Sequence, residues 1–391
     1  MRMNFLNDAL GRVPEYRAIE NAVRQRKTPV AVTGLASIHK ANILHTLLSA
    51  MSKKALFIAG DEAEATRMLE DLNAMGVTSA FYPLRDFSLR DTEGSSHEYE
   101  RQRIEALTLL QTGQCTCIVT TIDAALQYVL PPKKLKERTV KLSAGQEISV
   151  DEIVRALVRC GYVRADQIDG TGQFARRGGI VDFYSPGGKA PVRVEFWGDE
   201  IDTMHTFDLA TQRRDEPIEK IYVSPAREIL FGQPADAAEK ILSYIKKARS
   251  RRRTALETCT AADLAQLDGG AMPVNMDKYL TLRYPEPATI LDYFDDPLLI
   301  LEEPASLREA ERATAFRRGE ELSALLEDGV LAAGLDKLYA ESGWLWAQCA
   351  AHRTLCAENF ARSMPDVPLK AIVNAPAHTL PAWGGEVAAL L

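Results

Sequence analysis

The stretch GQFARRGGIVDFYSPGGKAPVRVEFWGDEIDTMHTF, Gly172 to Phe207, decides the architecture. Within it GGIVDFY, PVRVEFW and IDTMHTF are strand-like, and they are joined by SPGGKA and GDE, which are turn chemistry. The three read as an antiparallel meander. Arg176 and Arg177 stand at its mouth beside Gly178 and Gly179. Alternation places Arg177 at the start of a strand, with Gly179, Val181 and Phe183 as its period-two partners, and turns Arg176 the other way or leaves it on the entry loop. Glycines leave the backbone bare for a close approach. Guanidinium groups beside them suit planar recognition of carboxylates. The plainer alternative is that Arg177 pairs inside its own sheet, with Glu195 or Asp199.

Just upstream, SVDEIVRALVRCGY reads as a helix opened by a capping box from Ser149 to Glu152. A helix beside a small antiparallel sheet makes an α+β module of roughly 80–90 residues. The flanking sequence has a different texture. PVAVT, ALFIA, AFYP and CIVTT are short apolar strands, separated by the helical runs HKANILHTLLSAM, DEAEATRMLEDLNAM and HEYERQRIEALTLL. That alternation indicates a parallel sheet covered on both faces. Pro131 and Pro132 interrupt it, and it resumes near Ile218 with KIYVSP, the helix DAAEKILSYIKKARSRRR, then ATILDYF and LLILEEP. The expected fold is therefore α/β, a degenerate P-loop NTPase-like parallel-sheet domain with an inserted α+β domain. The expected boundaries are 1–130 and 217–335 for the two parts of the larger domain and 131–216 for the insert. Residues 336–391 are expected to be a helical linker and the start of a further domain. The last run reads as a helix cut short, as in a piece of a longer protein.

The chain has 391 residues, with 46% hydrophobic and 26% charged residues and a net charge of −7. Two or three water-compatible domains follow from the length and composition. The acidic balance argues against a protein built to coat nucleic acid. No apolar run reaches membrane-spanning length, and the six cysteines form no regular framework, which fits a reducing cytoplasm.

The first strand–loop–helix is where a phosphate-binding loop would lie. Against the template G-x-x-x-x-G-K-[ST], the chain reads GLASIHKA: Gly34, then His39, Lys40 and Ala41. The lysine is present. The second glycine, which lets backbone curl around a phosphate, is His39, and the magnesium-binding hydroxyl is missing at Ala41. LLILEEP supplies Glu302 and Glu303 where the acidic partner motif belongs. The expectation is a nucleotide fold that has lost its nucleotide; the alternative is an active ATPase using Lys40 with Glu302 and Glu303.

The segments GYVRADQIDGTGQFARRGGIVDFYSP, PVRVEFWGDEIDTMHTFD and TQRR resemble the inserted domain of the excision-repair protein UvrB, and more closely that of the transcription-repair coupling factors. KYLTLRYPEPATILDYF is similar to the same family's return to its first domain. The degenerate P-loop favours the coupling factors, as does SLRDTEGSSHEYERQR, which leaves no room for an aromatic DNA-gripping hairpin. The resemblance implies docking of the damage-recognition ATPase UvrA, largely through arginines. Residue by residue, the tyrosine-x-arginine of the pattern falls on Tyr162 and Arg164, and the arginine before the strand's glycine on Arg177. A further arginine of the pattern falls on Ala175, where this chain departs from it, with Arg176 adjacent. The docking set implied is Arg164, Arg176, Arg177 and Phe183. For the full-length family the resemblance implies an ATP-dependent DNA translocase. Its ATP and magnesium sites, and its contacts with RNA polymerase and DNA, lie in other domains.

Lys246 to Arg253, KKARSRRR, is the strongest basic run; it reads either as a solvated helix end or as a contact for DNA phosphates. Cys349, His352 and Cys356 would share one helical face, but no fourth ligand or C-x-x-C accompanies them, so no metal is expected. The histidines are scattered, with no nucleophile context around them, and no catalytic residue is assigned.

Overall fold

The structure, a computed structural model, describes residues 4–375 apart from 88, 90–96, 187, 274–275, 363 and 366. Most of SLRDTEGSS, and everything after 375, thus lie outside the described residues.

In chain order the strands are β1 (Val30–Thr33), β2 (Ala55–Ala59), β3 (Ser79–Tyr82) and β4 (Cys117–Thr121), then β5 (Val140–Ser143), β6 (Val163–Arg164), β7 (Gln173–Arg177) and β8 (Ile180–Phe183). They continue with β9 (Val192–Trp197), β10 (Glu200–Phe207), β11 (Arg214–Pro217), β12 (Lys220–Val223), β13 (Leu298–Glu302), β14 (Arg353–Ala357) and β15 (Ala371–Asn374). The main sheet has the order β15-β1-β14-β13-β2-β4-β3, parallel throughout. Every residue of β1, β2, β4 and β13 is buried, as expected of strands covered by helices on both faces. Successive side chains go to opposite faces. Leu56, Ile58, Leu299 and Leu301 enter one core with Leu107 and Trp346; Phe57, Ile300, Val30 and Val32 enter the other with Leu47 and Met68.

The second sheet runs β11-β10-β9-β8-β7-β6. The expected meander is its centre: β8, β9 and β10 pair antiparallel in sequence order. The helix Val150–Arg159 packs on it, with the Ser149–Glu152 capping box formed. Its apolar side meets Phe174, Val181, Phe183 and Val194 in a separate core.

Four expectations are corrected. KIYVSP does not resume the parallel sheet; β12 pairs antiparallel with β5, tying the way out of the insert to the way in. ATILDYF forms a 3-10 turn, Ile290–Tyr293, because Thr289 and Asp292 cap it. DAAEKILSYIKKARSRRR is two helices, Pro234–Lys247 and Ser250–Asp268, since Ala248 and Arg249 are extended. Residues 336–391 are not simply a linker: β14 lies between β1 and β13 in the middle of the main sheet, and β15 flanks β1. The apolar run TLCA is a buried strand that follows immediately on the helix Trp344–Ala351.

A buried ionic cluster joins the body to the segment leaving the insert. Arg103, fully buried, donates through Nε to Glu228 Oε1 (2.7 Å) and through Nη1 to Gln127 Oε1 (2.7 Å). Arg85 Nη2 donates to Asp277 Oδ1 (2.9 Å), and its Nε lies 3.2 Å from Glu228 Oε2. Glu100 accepts the Glu228 backbone N–H (2.8 Å). Burial alone would raise the Glu100 carboxyl; Arg85, His97 and Arg227 reverse this and hold it at about 2.

Candidate functional site

The arginine-bearing edge is built by a tight hairpin. Arg177 pairs with Ile180 and Arg176 with Val181, so Gly178 and Gly179 are the turn between β7 and β8. Gly178 sits at φ +62 with open space around it, a conformation that glycine adopts without strain. The Phe196 N–H donates to the Gly179 carbonyl (2.9 Å), which seats the turn against β9.

The turn corrects the expected strand. Arg177 ends β7 instead of starting a strand with Val181 and Phe183, because the two glycines reverse the chain. Phe183 is fully buried opposite Phe174 and meets the Tyr162 ring edge-on, with centroids 6.4 Å apart. It supports the sheet from within and offers no surface. Tyr162 is buried as well; its hydroxyl donates to the Ser224 carbonyl (2.8 Å) and lies 3.2 Å from Ser185 Oγ. Ala175 is buried too.

The three arginines remain at the surface. Alternation along β7 sends Arg176 to the same face as Phe174 and the capping helix, where its guanidinium pairs with Asp151. Arg177 goes to the other face, and Nη2 donates to the Asp166 carbonyl (3.2 Å). It meets neither of the carboxylates considered for it: Glu195 is engaged by Arg214 and by the Thr203 hydroxyl (3.3 Å). Arg164 is exposed on β6, a two-residue edge strand running parallel to β7. Behind this edge, Arg193 holds the buried Asp182 through two bonds, 2.7 and 2.8 Å, which fixes β8 on β9.

Sequence reasoning missed Trp197. It ends β9 next to Phe196, whose backbone the arginine turn grips, and it is 84% exposed. Val163 beside Arg164 is 67% exposed. The available signal was position: strand alternation runs into Gly198 and Asp199, so Trp197 had to sit at a hairpin tip.

The expected nucleotide residues do come together, in an arrangement that engages them with the chain's own groups. Gly34 takes φ +86, and the helix Ser37–Met51 starts early, so that Lys40 lies within it. The Gly34 and Leu35 N–H groups donate to the Asn359 and Glu358 carbonyls, at 3.1 and 3.2 Å. Lys40 is 5% exposed, and its Nζ lies 3.1 Å from Glu302 Oε1 and 3.0 Å from Glu303 Oε1. The Asn359 N–H closes on Glu303 Oε1 at 2.7 Å. Glu358 is buried beside them; burial pushes its carboxyl up, and the Glu303 charge adds to this. Burial likewise raises Glu302, against the pull of Lys40. Loop donors spent on the chain's own carbonyls and a lysine held by two carboxylates do not fit ATP with magnesium. His39 and Ala41 add a bulky ring and a missing hydroxyl.

Among the described residues no group of His, Cys, Asp and Glu is arranged to hold a metal. The expected helical face of Cys349, His352 and Cys356 does not exist: Cys349 is in a helix, His352 ends it, and Cys356 is in β14. Among the described residues no helix is long and apolar enough to cross a membrane.

Residues 140–229 match the family model of the UvrB interaction domain. The chain is 28% identical over 326 residues to the transcription-repair-coupling factor of Bacillus subtilis (strain 168), covering 81% of this chain and 28% of that protein. It is 25% identical over 311 residues to the factor of Staphylococcus haemolyticus (strain JCSC1435), covering 77% of this chain and 26% of that one. It is also 25% identical over 358 residues to the factor of Staphylococcus epidermidis (strain ATCC 12228 / FDA PCI 1200), covering 88% and 30%. The chain thus spans less than a third of the length of these curated relatives. A match to the UvrB interaction domain, set in a parallel-sheet body, together with similarity to these factors along most of its length, supports reading the chain as a segment related to the transcription-repair-coupling factors.

Proposed function

We propose that this segment is an adapter that recruits the damage-recognition ATPase UvrA in transcription-coupled nucleotide excision repair, and that it acts by binding, without hydrolysing ATP itself. The observation that carries this reading is the edge formed by β6, the β7–β8 turn and Trp197. Three arginines project there from a domain whose family is named for interaction. Arg164, Arg177 and Trp197 form the centre of the proposed footprint, with Arg176 released from Asp151 on docking. Phe183 and Tyr162 hold the sheet behind it. The docking module extends past residue 216 through β12, because β12 is paired with β5. DNA translocation, and contacts with RNA polymerase, belong to parts of the full-length factor outside this chain.

Pull-down and titration with purified UvrA test this. The Arg164→Ala/Arg177→Ala variant, with an unchanged melting curve, should bind about 30-fold more weakly, roughly 2 kcal/mol, the scale of a central hot spot. Unchanged affinity would overturn the footprint, and no binding by the wild-type chain would overturn the function. Titration with magnesium-ATP should show no binding at micromolar concentrations; saturable binding there would instead favour an active ATPase built on Lys40.

A further inference from the structure

The run Lys246 to Arg253 is a corner, where one helix ends and the next begins. Pro234–Lys247 is anchored by Ala237, Ile241 and Ile245, and Ser250–Asp268 by Leu256 and Leu267, all in one apolar core. Between them Ala248 and Arg249 are extended, so the chain turns sharply and all six cations, Lys246, Lys247, Arg249, Arg251, Arg252 and Arg253, are exposed at the tip.

Two of them are used to build the corner. Arg253 Nη2 donates to the Lys246 and Ala248 carbonyls, at 2.7 and 3.2 Å, and so caps the end of the first helix. Arg252 bonds the Tyr244 hydroxyl and lies over its ring, 5.2 Å from the centroid. Lys246, Lys247, Arg249 and Arg251 are left pointing outward. None of the six makes an ion pair among the described residues, and no acidic residue occurs from 240 to 256. The chain carries a net charge of −7, so carboxylates are not scarce.

Local energetics oppose the arrangement. Lysines in the last turn of the first helix suit its dipole, but three arginines at the start of the second face the positive end of another. Like charges this close also repel one another. A rigid corner holding unpaired positive charge against its own helix is complementary to a polyanion.

We propose that this corner binds the phosphate backbone of duplex DNA, without reading sequence. The chemistry narrows the occupant. No Asn or Gln lies between 246 and 253 to read base edges. No aromatic residue lies there either, and the nearby Tyr244 ring is covered by Arg252, so unstacked bases have no platform. Four exposed cations spread over the end of one helix and the start of the next suit a row of phosphates better than one small anion.

The test uses the whole 391-residue chain and a fluorescein-labelled, mixed-sequence DNA duplex, read by anisotropy. With about four phosphates neutralised, affinity should fall about 100-fold between 50 and 200 mM salt. The variant Lys246→Ala/Lys247→Ala/Arg249→Ala/Arg251→Ala should lose at least about tenfold at the lower salt and flatten the salt slope. Arg249→Lys/Arg251→Lys, which keeps the charge, should bind like wild type. Arg164→Ala/Arg177→Ala should also retain DNA binding, so failure of this proposal is distinguishable from failure of the docking edge. Wild-type affinity in the quadruple variant would overturn the proposal. So would tighter binding to a single-stranded oligonucleotide, a duplex RNA or poly-glutamate than to duplex DNA.

Discussion

Lys40 stands where the lysine of a phosphate-binding loop would, and the chain's own carboxylates hold it. Its ammonium lies between Glu302 and Glu303, so Lys40→Met should destabilise the fold by about 3 kcal/mol, through carboxylates left buried without their counter-charge. Urea denaturation measures this, and an unchanged midpoint would mean the pair contributes nothing. Glu358 gives the opposite sign. Its folded-state carboxyl is raised by burial, so the folded state binds more protons than the unfolded one, and stability falls as pH rises from the ordinary glutamate range through the folded value. Glu358→Gln should therefore raise the melting temperature at pH 8, with the gain shrinking towards pH 4; a gain independent of pH would refute the charge argument. Trp197→Ala should weaken UvrA binding about tenfold and leave the melting curve unchanged, because its side chain is largely in water. The broken P-loop was legible at this scale, since His39 and Ala41 are single departures from a fixed template. The grouping of Glu302 and Glu303 with Lys40 was legible too, from the order of the motif, although they stand 262 and 263 residues away; the Glu358 and Asn359 carbonyls that take the loop's N–H groups were not, because no motif marks them.

At the scale of elements, periodicity served well wherever an element had one clear face. The meander and the capped helix on it were legible from alternation, turn chemistry and the Ser149–Glu152 spacing. Alternation failed at Arg177 because it was carried through two glycines that reverse the chain, and this moved Phe183 from the surface edge into the core. β14 was hidden because a helix runs almost directly into it, leaving no turn residues to mark the change of period. The structure also assigns Tyr162 a supporting part. Tyr162→Phe should cost about 1 kcal/mol of stability through the lost bond to Ser224, while UvrA affinity per folded molecule stays the same. Thermal melts beside titrations separate the two effects, and a loss of affinity without a loss of stability would make Tyr162 a contact residue.

For the whole molecule, the cluster of Arg85, Arg103, Glu100, Glu228 and Asp277 couples the body to the segment leaving the insert. Arg103→Met removes one of two arginines facing Glu228 and should cost about 3–5 kcal/mol, enough to split or strongly lower the thermal transition. A small change in a single sharp transition would mean the two units are held together by other contacts. None of these five residues signalled its partners in the sequence, where Arg85 and Asp277 stand 192 positions apart. The strand order has a further consequence for the order of synthesis. β1 and β2 precede the insert in the chain, yet the two strands that fill the gap between them, β14 and β13, emerge from the ribosome only after the whole insert has been made. The interaction domain, whose sheet is drawn from one continuous stretch, can close first, while the nascent parallel sheet waits with open edges. Translation that stalls before residue 353 would thus leave a polypeptide with a finished insert on a body whose parallel sheet still has open edges.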